Sequence, residues 1–414
     1  MRLEDVDLTN LDYFAANQGY PMFDVLREEA PVFWNPEQAP NHGFWAITRH
    51  GDIQKIDRDA ETFTSEQFVN LEEVDDDLME IRRSLLETDG TRHRAMRRLL
   101  QRDFGAQSLK IYEEYLRGLT KVTLDAALPK GTFDFVKSVS ADFPIRVLAR
   151  MLDVPEDETG QLIAWGNRMV GNTDPEYADV LLEDAESDQY KHLPFRSPAA
   201  LEVFAYGNEL RRKRVGGNDD DLVSKLVNRI PEDGIALSDR DFNNYFLLLV
   251  VAGNETTRHA ISHTMLALIQ HPDQLELLKR NPELIPDAVE EFLRWASPVY
   301  HFRRTATRDV EVNGAEIRAG DKVTMWFASG NRDAEVFQDP YRFDVTRAKV
   351  DHVTFGKGGP HFCLGNSLAR MEIRVMFEEL IPRIASVELA GDPVRVRSNF
   401  VNGLKRLPVT VKPA

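Results

Sequence analysis

One cysteine, Cys363, stands in the segment Phe355-Gly-Lys-Gly-Gly-Pro-His-Phe-Cys-Leu-Gly365. A lone thiol cannot close an internal disulfide, form a CxxC redox pair or build a cysteine-rich zinc site. Clustered glycines let a backbone turn tightly and approach a flat body closely. The helix expected to begin after Cys363 turns its first amides and its positive dipole end toward the sulfur. That setting favours thiolate, a soft metal ligand. Zinc would need histidines and carboxylates as well, whereas a haem iron needs only one axial protein ligand. The bland alternative is a buried thiol acting as a small hydrophobe.

Three weaker patterns accompany it. In Ala252-Gly-Asn-Glu-Thr-Thr257, Ala252 shares a helix face with Glu255 and Thr256, so small residues leave room for a ligand beside an acid and an alcohol. The apolar residues Leu247 to Val251 just before argue against a solvent-facing position. Glu291-Phe-Leu-Arg294 sets acid and base three apart, which alone reads as a surface ion pair. His93, Arg97, Arg304 and His361 are cations suited to holding carboxylates, although each singly reads as a surface residue. His259 and His263 have helical metal-ligand spacing, but Ala260 replaces the acid of a zinc protease, so they read as structural. There is no GxGxxG after a strand, no P-loop and no nucleophile elbow.

The elements that must position these residues are mainly α with a minor β portion. Phe44 to Thr48 reads as a strand, and Gly51 to Arg58 as a short helix. A mostly helical stretch from about Glu87 to Ile230 is broken at Gly171-Asn-Thr-Asp-Pro175 and Pro194-Phe-Arg-Ser-Pro198. The capping box Ser238-Asp-Arg-Asp241 opens the longest helix, which His271-Pro272 stops. Pro286 suits a first helical position. Asp309 to Ile317 alternates around Asn-Gly, a hairpin signal. A last helix follows Cys363 and ends before Pro382. No linker stands out, so one domain is expected over residues 1–414.

Of 414 residues, 51 are Lys or Arg and 68 Asp or Glu, a net charge of −17 that disfavours nucleic acid as the main partner. The longest apolar run, Tyr245 to Gly253, is far short of the roughly 20 residues of a membrane span. Acids near Met1 replace a basic signal region, so a soluble cytoplasmic protein is expected. Arg92, Arg94, Arg97, Arg98 and Arg102 with Lys357 form a candidate basic face for an acidic protein partner.

The glycine loop with Cys363, the Ala252–Thr257 segment, Glu291-Phe-Leu-Arg294 and the Asp89-Gly-Thr-Arg-His-Arg-Ala-Met-Arg97 helix, in this order, resemble the cytochrome P-450 superfamily of haem-thiolate monooxygenases. The resemblance spans the chain and implies the cytochrome P-450 fold and heme b (iron protoporphyrin IX). It implies Cys363 as axial ligand and Glu255 with Thr256 as the pair delivering protons for dioxygen cleavage. His93, Arg97, Arg304 and His361 would hold the haem propionates. Glu291 and Arg294 would be buried partners, joined by an arginine from Asn331-Arg-Asp333 or from the loop before the cysteine.

By the same resemblance the pocket is lined by Leu248, Val251 and Ala252, by Ser297, Pro298, Val299, Tyr300 and Phe302, and by Phe400 and Val401, with no charged residue. Its mouth lies near 63–86 and 171–195. An apolar substrate is implied (a branched or fatty lipid, a steroid or a terpenoid), with O2 and with electrons from a ferredoxin and its reductase. Two departures are visible: Phe355 lies eight rather than seven residues before Cys363, and Gly90-Thr91 replaces a Pro-Pro pair. The extra loop residue is familiar from bacterial members that oxidise steroids and methyl-branched lipids. A peroxygenase of the same fold, which lacks the acid–alcohol pair, and a non-catalytic haem sensor are the rival readings.

Overall fold

The helix Asp239–Gln270 organises the molecule, which a computed structural model describes over residues 1–39 and 41–414. Ser238 Oγ accepts the Asp241 N–H (3.1 Å), and the Asp241 carboxylate accepts the Ser238 N–H (3.1 Å). The expected capping box therefore forms. Most of this helix is buried all round, so it is an internal pillar and not an amphipathic surface element. Helices Phe143–Met151, Thr159–Val170, Ala199–Arg214, Ile285–Ala296 and Asn366–Leu380 pack around it. It stops at His271, where Pro272 begins a new helix. Among the described residues no helix is long and apolar enough to cross a membrane.

The β portion is small and lies to one side. Its five-stranded sheet runs Val32–Asn35, Phe44–Ile47, Lys322–Trp326, His301–Ala306, Phe63–Thr64, antiparallel except between the second and third. Thr132–Asp134, within the stretch read as helical, is instead a strand of a second sheet with Pro408–Pro413 and Ile384–Leu389. Its direct partner, Pro408–Pro413, pairs with it at a separation of 274 to 278 residues, so local pattern could not show the pairing. Val310–Val312 and Ala315–Ile317 form the expected hairpin. Asn313 (φ +50°) and Gly314 (φ +82°) supply the two left-handed residues of its turn.

Glu291 and Arg294 are fully buried and paired bidentately, at 2.6 and 2.7 Å. Arg294 also donates to the Asn331 and Pro340 carbonyls (2.8 and 2.9 Å), and Asp344 N–H donates to Glu291 (3.0 Å). The third arginine is Arg347, in the segment before the cysteine, 3.2 Å from Glu291. Arg332 instead donates to the Arg294 and Trp295 carbonyls and lies over the Trp295 ring. Together these bonds fasten the long irregular run after residue 330, which carries the cysteine loop. Removing one member of such a pair strands a buried charge, at a cost of about 3–5 kcal/mol.

Candidate functional site

The cysteine loop is set against the end of the helix His50–Arg58. Gly356 (φ +74°) and Gly358 (φ +79°) take left-handed conformations. Gly359 serves a different need: a Cβ there would lie 1.9 Å from the Asp57 carbonyl oxygen. The buried Asp57 carboxylate accepts Lys357 N–H (2.7 Å) and Arg304 Nη2–H (3.2 Å). Cys363 N–H donates to the Phe355 carbonyl (2.9 Å), and Asn366 Nδ2–H to the Cys363 carbonyl (2.8 Å). Burial pushes the thiol up, while the Gly365 amide and the charges of Arg97 and Arg370 favour thiolate.

His93, Arg97, Arg304 and His361 all line one cavity with Cys363. His93 and His361 rings lie 4.2 Å apart. Desolvation, then the charges of His361 and Arg97, press His93 down to about 3, so it is neutral. His361 is bound to Asp89 (2.7 Å), and Arg304 to Asp57. Arg97 donates to the Phe362 carbonyl (2.5 Å) and pairs with no carboxylate, and buried His93 Nδ1 has no partner among the described residues. The wall thus offers more donors than its own acids take up.

On the opposite side runs the face Ala252, Gly253, Thr256, Thr257 and Ala260 of the long helix. Thr256 Oγ–H donates to the Ala252 carbonyl (3.0 Å). The sequence places Glu255 and Thr256 on the helix face of Ala252. Glu255 does reach the same chamber, but it is buried and bound by Arg258, by His259 (3.4 Å) and by Asn254 (3.3 Å). Burial drives its carboxyl up, yet the Arg258 charge and the His259 hydrogen bond outweigh that and hold it below the usual range. His259 is therefore a structural partner, and His263 is bound to the Asn402 carbonyl (3.0 Å). Among the described residues no group of three or more His, Cys, Asp or Glu could hold a metal ion.

The cavity beside Cys363 measures about 220 Å³, against ~10–15 Å³ for one water, and joins a lobe of about 120 Å³. Leu248, Ala252, Val299 and Phe302 line both lobes, and Val251, Phe400 and Val401 the smaller one. Of the other expected lining residues, Ser297 and Tyr300 line neither: Ser297 Oγ–H donates to the Arg294 carbonyl (2.9 Å), and Tyr300 OH to Asn402 (2.9 Å). The expectation of a lining without charge is also corrected, because Arg82, Glu87 and Glu255 reach the smaller lobe.

Sequence reasoning missed Asp57 and Glu372 as well. Glu372 is buried in the cavity wall, with Oε1 unpartnered among the described residues. Burial pushes its carboxyl well above the usual range, against a hydrogen bond with Thr257. Its place four residues after Leu368 on an apolar stripe was the only available signal. The basic face shrinks too: Arg92 pairs with Asp233 and Asp241, Arg98 with Glu232, Lys357 with Asp351, and Arg97 turns inward.

A cysteine loop and a small-residue helix face lining one cavity are what this fold presents. Residues 60–392 match the family model described as cytochrome P-450, and the chain belongs to that family. It is 35% identical to the methyl-branched lipid omega-hydroxylase of Mycobacterium tuberculosis, across 99% of this chain and 95% of that one. It is 34% identical to the steroid C26-monooxygenase of Rhodococcus jostii, across 99% and 86%. Among solved structures, Mycobacterium marinum cytochrome P-450 CYP268A2 in complex with pseudoionone superposes with a TM-score of 0.89 at 36% identity, covering 98% of each chain.

Members of the family carry haem b, and the cavity fits it. A Cβ on Gly365 would meet nothing within 4 Å, and Gly365 lines the cavity beside Cys363. That leaves a flat body room to lie close. The spare donors, His93 Nδ1 and Arg97, stand on the same wall.

Proposed function

We propose that this single-domain, cytoplasmic cytochrome P-450 monooxygenase inserts one oxygen atom of O2 into a C–H bond of an apolar lipid, steroid or terpenoid, with electrons from a ferredoxin and its reductase. The observation that carries the reading is the apolar chamber held between the Thr256 face and Cys363. Cys363 would ligate the iron as thiolate, and Arg97, Arg304, His93 and His361 would hold the propionates. Bound there, haem supplies dioxygen activation and C–H oxidation.

The rest falls to the chain. Leu248, Val251, Val299, Phe302, Phe400 and Val401 exclude water and orient the hydrocarbon. Thr256 holds its hydroxyl at the chamber surface and can exchange the Ala252 carbonyl for a reacting oxygen. Glu255, ionised against Arg258, can accept a proton from water when that ion pair loosens and then pass it to Thr256. The substrate class draws on the named activities of the two relatives together with the apolar lining.

Reduced protein with carbon monoxide should show the thiolate-type absorption of the family, and lipids, steroids or terpenoids should shift the ferric spin state. Retention of the carbon monoxide band by Cys363→Ala would overturn the ligand assignment. Product formed with a reduced ferredoxin and O2, but not with buffer peroxide alone, tests the electron source.

A further inference from the structure

The smaller lobe holds charge that an apolar ligand does not need. Arg82 is already ion-paired: it makes two hydrogen bonds to Glu72 (2.9 and 2.7 Å) and lies 4.5 Å over the Phe68 ring, although its Nε has no partner among the described residues. Glu72 also accepts from Arg196 (2.5 Å). Glu87 differs. Its Oε2 takes the Ser84 N–H (3.0 Å) and the Ser84 hydroxyl, whereas no cation pairs with it and Oε1 accepts nothing among the described residues. Burial pushes this carboxyl up, while the Ser84 hydrogen bonds and the Arg82 charge act the other way. Asn244, on the long helix, gives its Nδ2 hydrogens to the Ile81 and Arg83 carbonyls (3.0 Å each), which leaves Oδ1 as an acceptor. The lobe therefore presents two acceptors, and its one cation, Arg82, is already ion-paired with Glu72.

Resting on the reading of this chamber as the substrate site, we infer that the substrate's polar end is a neutral hydrogen-bond donor, an alcohol hydroxyl, seated against Glu87 and Asn244, and that a carboxylate end is rejected. A hydroxyl satisfies an acceptor oxygen that has no protein partner among the described residues. A carboxylate would share the lobe with Glu87, and with the Arg82 charge already taken by Glu72, two carboxyls in one site resist ionising together. The cations that could answer it, Arg97 and Arg304, stand in the other lobe. An unpaired buried charge costs far more than a bonded hydroxyl.

The ferric holoprotein is titrated near neutral pH with dodecan-1-ol, dodecanoic acid and dodecane, followed by the spin-state change and by calorimetry. The alcohol should bind at least about tenfold more tightly than the acid. Glu87→Gln should close most of that gap, chiefly by tightening the acid, with circular dichroism verifying the fold. The wild-type comparison stands alone if the variant does not fold. Equal or tighter binding of the acid, or a variant that shifts both ligands alike, overturns the inference and leaves the substrate site in place. Failure of all three ligands by both measures overturns the chamber's assignment itself, and the inference with it.

Discussion

Two alanine substitutions in the cysteine loop, six residues apart, should fail for opposite reasons. At Gly359 the added Cβ would sit 1.9 Å from the Asp57 carbonyl oxygen, and real Cβ atoms essentially never come within 3.0 Å. The loop and the end of the helix His50–Arg58 must therefore part by about an ångström. The 2.7 Å bond from Lys357 N–H to the Asp57 carboxylate bridges the same gap and would be lost. Overpacking costs about 1–3 kcal/mol, and a hydrogen bond to a charged group about 1.5–3. A total near 4 kcal/mol, at ~2 cal/mol/K of unfolding entropy per residue over 414 residues, lowers the melting midpoint by roughly 5 °C. Gly365→Ala meets nothing within 4 Å, and its φ of −84° suits any residue. It should leave the apoprotein as stable as wild type but occupy space beside Cys363, lowering haem content. Thermal scans of apo- and holoprotein and haem stoichiometry separate the two. A Gly359→Ala protein with wild-type melting would refute the packing argument, and full haem loading of Gly365→Ala would refute the placement of the haem.

Thr256→Ala should keep ligand binding within about threefold while most electrons go to peroxide, through loss of a positioned proton donor worth about 10²-fold; unchanged product per NADH consumed argues against that role. Glu372→Gln probes the buried carboxyl. The native group titrates well above its usual 4.5, so the folded state binds more protons than the unfolded one, and wild-type stability falls as pH rises above that value. The variant should gain on wild type by up to about 1.4 kcal/mol per pH unit as pH rises above the ordinary carboxyl range, until the native group ionises. A flat or opposite difference would show the carboxyl to be ionised. Glu72→Ala removes the anion joining Arg82 to Arg196, and with it the tie between the two segments at the chamber mouth. The loss of about 3 kcal/mol should speed ligand release at least tenfold; an unaltered off-rate means the mouth opens elsewhere.

How much was legible follows from how local each signal is. The capping box at Ser238, the Asn-Gly turn at 313–314 and Pro272 act within a few residues, and the structure contains them, while Pro286 falls second rather than first in the helix Ile285–Ala296. Cys363 was legible because a single thiol in a glycine-rich loop has few uses. The strand Thr132–Asp134 was not, because its pairing with Pro408–Pro413 is set by tertiary contact. Charge partners were least legible. Arg92 reaches acids some 140 residues on, and Arg347 completes the Glu291 pair across an irregular loop. Nothing in spacing distinguishes such arginines from solvated ones.

The buried charges of the site divide by what satisfies them. Glu291, Arg294 and Arg347 are matched by other protein groups, as are Glu255 and Arg258, and Glu72 with Arg82 and Arg196. Their sites need no ligand, and they act as fastenings. The wall of His93, Arg97, Arg304 and His361 is different, because only Asp57 and Asp89 answer it, and Arg97 and His93 Nδ1 are left over. Desolvation presses His93, Arg97 and Arg304 below their usual ranges, the cost of burying these cations in the wall. On the proposed reading two propionates remove that cost, so haem binds the folded state alone and stabilises it by mass action. The same excess of cations that selects the cofactor then makes the fold of the cysteine loop depend on it, while the smaller lobe, with a carboxyl and its one cation already ion-paired, is left to choose among substrates.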